Sequence, residues 1–241
     1  MLYRKLKDYT LKDAILFEEK DKQFLALKKM YKIKRIPDNL YLFLIIANAL
    51  ISFQLSWTGE NYWIEFSNWD WNKYKNKSSI LIEFENLLKN WKNNRRFVNM
   101  KLKRLKKLLF NEYNLYWQTF FNYFMWNIEF YYRKMNILAE DLANIMSQNK
   151  KAKTIVFAVK MFSYGARNVF WYLEKFPNTL IIPLDSRLKK LYKTYVWFGS
   201  KKDMENYYLD LSKKLNIPSL HLDAILWVNY NKLIKNNCVE I

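Results

Sequence analysis

The sequence predicts an all-α protein, and three observations predict it. Turn-forming residues are scarce: 241 residues hold three glycines, Gly59, Gly165 and Gly199, and four prolines. A many-stranded sandwich or barrel needs more turn chemistry than that. Apolar residues recur at spacings of three and four along most of the chain, which is the helical period. No β-hairpin signal, internal repeat or low-complexity linker interrupts them.

The elements follow in order. Residues from about Thr10 to Arg35 read as one or two helices of mixed charge, broken by Pro37, with Asp38 or Asn39 placed to cap the next. Leu40 to Trp57 reads as a buried helix that Gly59 ends. Tyr62, Trp63 and Phe66 recur at helical spacing and predict a further short helix. Asn68 to Ser79 reads as a polar loop, and Ser79 opens a helix to about Trp91. Arg95 to Leu109 is amphipathic: Leu102, Leu105, Leu108 and Leu109 form a stripe, and Lys101, Lys103, Arg104, Lys106 and Lys107 form the rest. Such a face suits phosphates, and equally a solvated or membrane-surface helix. The aromatic run from Asn114 to Met135 has the spacing of helix core, although stacked rings could also hold bases. Asp141 to Met146 is a short helix and Ser147 to Ala152 a tight polar connection. Thr154 to about Lys175 is the next helix. Pro177 and Asn178 turn the chain, and Thr179 to Leu184 runs extended into Asp185. Ser186 to Trp197, Asp203 to Leu215 and a last stretch from Ile217 to about Ile234 complete the set.

Composition narrows function. The formal net charge is +19, far beyond what solubility needs, so a polyanionic partner is expected. Nucleic acid is the first candidate and an anionic membrane surface the second. The glycines needed for a GxGxxG or Walker A loop are not there. One cysteine, Cys238, and one histidine, His221, leave no structural zinc site, iron–sulfur cluster or disulfide within one chain. A Ser-His-Asp triad would have to use His221, and no GxSxG elbow accompanies it. No cofactor and no metal are therefore expected. The N-terminus is charged throughout and carries no signal peptide, which predicts a cytoplasmic protein. The longest apolar run, Tyr41 to Phe53, is too short to span a bilayer. With 51% hydrophobic and 19% aromatic residues, the chain can bury one sizeable domain of residues 1–241, made of two interleaved helical subdomains.

The stretch from Lys153 to Leu191 carries the chemistry. Ile155 to Phe162 is apolar except for Lys160, and a helix apolar all round is a buried one. A lysine there either snorkels to the surface or is held dry. Desolvation disfavours the ammonium, and a neutral amine is a nucleophile able to form a Schiff base. Asp185 follows one helix and one loop later, where it serves as a helix N-cap or as a partner to that amine.

A helix, a tight hairpin, a helix, and then a loop with proline and an aspartate resemble the helix-hairpin-helix DNA glycosylases. Within that superfamily the chain is similar to the archaeal 8-oxoguanine DNA glycosylase (AGOG-type) branch. Four segments carry the match: Glu18–Gln23; Leu50–Phe53 running on to Thr58–Trp63; Lys153–Lys160 with Ile182–Arg187; and Ile217–Trp227. The resemblance implies a helix-hairpin-helix fold with two helical subdomains flanking an active-site cleft. It implies a monomeric, bifunctional enzyme that excises 8-oxoguanine from DNA and nicks the strand by β-elimination. Lys160 matches the family's Schiff-base lysine and Asp185 its catalytic aspartate. Substrate contacts are implied at Gln23, Ser52, Trp63, Tyr164, Arg167, Asp223 and Trp227. Backbone phosphates would fall to Lys101 and Arg104 of the basic helix and to Lys150 and Lys151 of the hairpin. Two departures stand out: the hairpin has no glycine, and Arg167 stands where the branch has lysine. The rival readings are a non-catalytic basic helical protein that binds nucleic acid, a membrane-surface protein, and the same enzyme class acting on another damaged base.

Chemistry fits the implied roles. The target base must leave the stack to be reached. Lys160, Tyr164 and Arg167 stand at i, i+4 and i+7, and Asp223 and Trp227 at i and i+4, so each set shares a helix face. Asp223 can only accept, which suits the N1–H and N2–H donors of a guanine edge. The Gln23 amide oxygen could accept the N7–H that 8-oxoguanine gains. A carboxylate such as Asp185 would stabilise positive charge on the sugar as the base leaves.

Overall fold

The computed structural model describes residues 2–33, 35–56, 58–71, 76–90, 94–112 and 118–235. Among these residues the secondary structure is helical, apart from one isolated bridge between Glu112 and Thr119. The chain forms two compact units, one of residues 1–21 and 175–241, the other of residues 22–174. Among the described residues, no helix is long and apolar enough to cross a membrane.

The first unit opens with α1 (Leu2–Leu6) and α2 (Leu11–Glu19). Thr10 and Asp13 close a capping box at the start of α2. That arrangement satisfies two backbone donors reciprocally.

The second unit holds α3 (Lys22–Ile33), α4 (Asp38–Ile51), α5 (Gly59–Asn68), α6 (Lys77–Asn90), α7 (Val98–Phe110), α8 (Phe120–Trp126), α9 (Ile128–Arg133), α10 (Met135–Met146) and α11 (Lys153–Phe170). Its centre is α4, in which every residue from Leu40 to Ile51 is buried. Helix α11 packs directly on it, and Gly165 allows the approach. A Cβ at that position would stand 2.4 Å from Ile45 Cδ1 and 3.1 Å from Leu42 Cδ2. Asn48 is the polar residue inside α4, and its Oδ1 accepts from the Tyr62 hydroxyl of α5. A buried acceptor left unpaired would cost about 1–3 kcal/mol.

Several boundaries differ from the expected ones, each for a local reason. Helix α4 stops at Ile51, before the expected Trp57, which lies outside the described residues together with Trp91, residues 114–117 and Cys238. Helix α6 is capped by Asn76, whose Oδ1 accepts from Ser79 N–H at 2.8 Å, so Ser79 lies inside it. The aromatic run divides into α8 and α9, and α10 begins at Met135 rather than Asp141. Helix α11 ends at Phe170, short of Lys175, because Trp171 turns left-handed. The Tyr132 hydroxyl then holds the departing chain, donating to Tyr172 O at 2.7 Å and accepting from Glu174 N–H at 2.9 Å.

The connection from α10 to α11 solves the missing-glycine problem. Ser147 takes φ 53. Gln148 N–H bonds to Ala143 O and Ser147 N–H to Asn144 O. This is the Schellman pattern, which normally places glycine at the left-handed position. Asn149 closes the remainder, its side chain accepting from Lys151 N–H at 2.8 Å and its carbonyl from Ala152 N–H at 2.8 Å.

The first unit resumes with α12 (Ser186–Val196), α13 (Lys201–Leu215), α14 (Ser219–Val228) and α15 (Tyr230–Lys235). The last predicted helix is broken at Asn229. Its side-chain amide donates to Ile225 O at 2.9 Å and its side-chain carbonyl accepts from the Tyr9 hydroxyl at 3.0 Å.

Candidate active site

In the second unit, the candidate residues converge on α11. Lys160 is 7% exposed, in a helix whose residues from Ala158 through Asn168 are all buried. Of the two readings the apolar run left open, the structure shows the buried one. Its Nζ lies 5.7 Å from the Tyr164 ring centroid, and the Arg167 guanidinium lies 5.1 Å from the same ring. Arg167 also sits 5.2 Å from Phe24 of α3, which meets Tyr164 edge-on at 5.4 Å. One electron-rich ring thus lies near both the Lys160 amine and the Arg167 guanidinium, and it favours the guanidinium charge. Sequence reasoning did not single out Phe24. Its signal was its place beside Gln23.

Gln23 precedes Phe24 on α3, and its Nε2 stands 3.4 Å from where a Gly59 Cβ would be. Gln23 thus lies beside the start of α5. Trp63 of α5 is completely buried, edge-on to Phe157 of α11 at 6.2 Å and to Phe66 at 5.4 Å. In this conformation it is a core residue that locks α5 to α11. Ser52 closes the end of α4, its hydroxyl donating to Ala49 O at 2.7 Å.

On α7, Lys101 and Arg104 of the expected phosphate face turn inward, whereas Lys103 and Lys106 are exposed. Lys101 is fully buried, and its ammonium donates to Asn94 Oδ1. Asn94 Nδ2 in turn donates to the Tyr62 hydroxyl at 3.0 Å. Burial pushes Lys101 down to about 8. Arg104 is half-buried and donates to Leu50 O at 2.9 Å, with its guanidinium 4.4 Å from the Phe53 ring. Arg104 serves the C-terminal end of α4, where carbonyls lack partners and carry partial negative charge. An amphipathic pattern cannot distinguish a lysine at the edge of the apolar stripe from one drawn under it. On the hairpin, Lys150 is exposed and pairs with Glu140 at 2.7 Å, and Lys151 is exposed.

The first unit carries the remaining candidates. Asp185 is the N-cap of α12, its Oδ1 accepting from Leu188 N–H at 2.8 Å. It is therefore a cap, and its second oxygen is a separate acceptor. Asp223 and Trp227 lie on α14, Asp223 half-buried and Trp227 42% exposed. The Arg187 guanidinium lies 3.7 Å from the Trp227 ring centroid. Burial raises the Tyr208 phenol well above its ordinary value, and Asp185 and Asp223 both add to the rise through their charge.

The elements bearing these groups are tied by a contact that sequence reasoning missed. Glu18 of α2 and His221 of α14 are both fully buried, with Nδ1 and Oε1 2.9 Å apart. His221 Nε2 accepts from Phe176 N–H at 3.4 Å. An accepting Nε2 places the proton on Nδ1, which donates to Glu18. Phe176 begins the segment that leads to Asp185, and His221 lies two residues before Asp223. The available signal was that both residues fall in segments of the family resemblance. Among the described residues, no group of three His, Cys, Asp or Glu side chains could hold a metal ion.

Comparison with known proteins gives a consistent result. A family model described as AGOG, N-glycosylase/DNA lyase, matches residues 4–240. An N-glycosylase/DNA lyase of Nanoarchaeum equitans is 38% identical over 227 residues, covering 94% of this chain and 88% of its own length. One of Methanopyrus kandleri is 32% identical over 228 residues, with the same coverage of 94% and 88%. A crystal structure of Pa-AGOG, the 8-oxoguanine DNA glycosylase from Pyrobaculum aerophilum, in complex with 8-oxoguanosine, superposes with a TM-score of 0.78. That structure is 20% identical, with 95% of this chain and 86% of the other covered, and at that identity it speaks to the helical fold alone. With the family model matching nearly end to end and relatives above 30% identity along most of the chain, this protein belongs to the AGOG family of N-glycosylase/DNA lyases.

Proposed function

We propose that the protein removes 8-oxoguanine from DNA and then cleaves the strand, with Lys160 as nucleophile and Asp185 as the carboxylate that supports departure of the base. The observation that carries this reading is a lysine residue 7% exposed inside an apolar helix, in a chain of a lyase family. In the reaction, positive charge grows on the sugar as the C1′–N9 bond lengthens, and a carboxylate stabilises it. The neutral Lys160 amine attacks C1′ while the base departs with the bonding electrons. A proton passes from nitrogen to O4′ as the C1′–O4′ bond breaks, which opens the sugar ring and gives the protonated imine. Removal of a C2′ proton then expels the 3′ phosphate, which is the β-elimination step. Trp227, 42% exposed, supplies an aromatic face for a base, worth about 1–3 kcal/mol when stacked, while the buried Tyr164 packs beside Lys160. Asp223 accepts from a guanine edge, and Gln23 offers an amide oxygen to the N7–H of the lesion. Trp63 supports this set through packing. The partner is DNA, and the working species is a monomer.

Incubating the protein with an 8-oxoguanine duplex and borohydride tests the proposal. Reduction of the imine should leave a covalent protein–DNA adduct. Lys160→Gln should abolish it, and trapping that survives this change would assign the nucleophile to another amine. No adduct with any lesion would leave a protein that binds DNA without lyase chemistry.

A further inference from the structure

The turn between α12 and α13 presents two large aromatic side chains to solvent. Trp197 is 73% exposed and Phe198 82% exposed. Neither position is a frayed end. Trp197 has φ 73 and ψ −55, and Phe198 N–H bonds back to Val196 O at 3.0 Å. This is a γ-turn of the rare, strained hand, adopted by a bulky residue. The Tyr192 hydroxyl donates to Phe198 O at 2.9 Å. Gly199, at φ 153, lets the backbone pass that hydroxyl, which a Cβ would meet at 2.4 Å. A capping box from Ser200 and Asp203 starts α13 at once. The turn is thus braced on both sides while its two rings are held outward, and strain of this kind persists where the surroundings over-determine it.

The helix leading to the tip decides what it fits. Leu188, Leu191 and Tyr192 turn inward. Lys189, Lys190 and Lys193 are exposed, and helical spacing places them together on the opposite face. No acidic residue occurs from Ser186 to Lys202. From Lys189 to Trp197 the helix advances about 12 Å. A stacked strand covers that distance in three to four nucleotides at about 3.4 Å each. Cations followed by exposed rings form the combination that holds single-stranded nucleic acid: charge tracks the phosphates and rings stack on open base faces.

We propose that α12 and the Trp197–Phe198 tip form a second DNA contact that binds an unpaired stretch of strand, with Lys189, Lys190 and Lys193 on its phosphates and the two rings on its bases. The inference rests on the glycosylase reading only in taking DNA as the polyanion. It adds Lys189, Lys190, Lys193, Trp197 and Phe198, none of which is an expected site residue, although Asp185 caps the other end of the same helix.

The test measures equilibrium binding of a fluorescein-labelled, undamaged single-stranded 20-mer across a salt series. Trp197→Ala/Phe198→Ala should weaken binding by about tenfold or more at fixed salt. Lys189→Gln/Lys190→Gln/Lys193→Gln should lower the slope of log affinity against log salt by about 2, at roughly 0.7 per single-strand contact. These positions are exposed, and a thermal melt matching that of the parent protein establishes that each variant is folded. Unchanged affinity and slope in folded variants would overturn the proposal. So would loss of association with phosphatidylserine vesicles, or loss of self-association in sedimentation, while DNA binding stays the same. If the parent protein excises no 8-oxoguanine, the glycosylase reading fails, and the binding measurement still decides the tip.

Discussion

Replacing Glu18 by alanine tests the buried contact that joins the two ends of the first unit in sequence. Glu18 and His221 are separated by 203 positions, are fully buried, and meet at 2.9 Å. Alanine removes a charged hydrogen-bond acceptor, leaves the Nδ1–H donor of a buried ring facing a void, and deletes the packing of the carboxyethyl group. A buried donor left without its acceptor costs about 1–3 kcal/mol. At about 2–4 °C per kcal/mol for a chain of this size, the melting temperature should fall by about 2–12 °C. Glu18→Gln keeps an oxygen for the Nδ1–H donor and should cost less. The assay is urea unfolding of the parent, the two Glu18 variants, His221→Ala and the Glu18→Ala/His221→Ala double variant. A direct contact predicts a coupling energy of about 1–3 kcal/mol. Additivity within about 0.5 kcal/mol would refute the argument that this pair, rather than general packing, ties α2 to α14.

Three further outcomes follow from particular residues. Lys101 titrates near 8 in the folded protein against an ordinary 10.5, so the unfolded chain holds the extra proton between those values. Stability should therefore rise with pH across that window, by at most about 3 kcal/mol, relative to Lys101→Met; coincident pH profiles in urea unfolding would reject it. Ser147→Gly relieves a left-handed serine at φ 53 and should stabilise by about 1 kcal/mol, raising the melting temperature by roughly 2–4 °C. Asp185→Asn should keep the cap on α12 and hold stability within about 0.5 kcal/mol, yet slow single-turnover excision by roughly 100-fold or more. Asp185→Ala should show the same slowing plus a loss of about 1 kcal/mol from the cap, and a full rate in Asp185→Asn would remove the carboxylate from the mechanism.

What the sequence determined by itself is local. Helical class, the cap at Asp185, and the shared face of Lys160, Tyr164 and Arg167 all follow from a fixed period of 3.6 residues and from backbone donors needing acceptors within one turn. Those parts were legible and stand in the structure. What only the tertiary structure decided is which side chain meets which across long separations. Periodicity placed Lys101 on a cationic face, but the buried amide of Asn94 draws it inward. It marked Trp63 and Trp227 alike as aromatic, yet packing buries the first and leaves the second 42% exposed beneath a guanidinium. Nothing near Glu18 in the chain points to His221. The physical reason is one of range: torsional sterics and capping act over a few residues, whereas the partner of a buried charge is set by whichever helix faces pack together to exclude water.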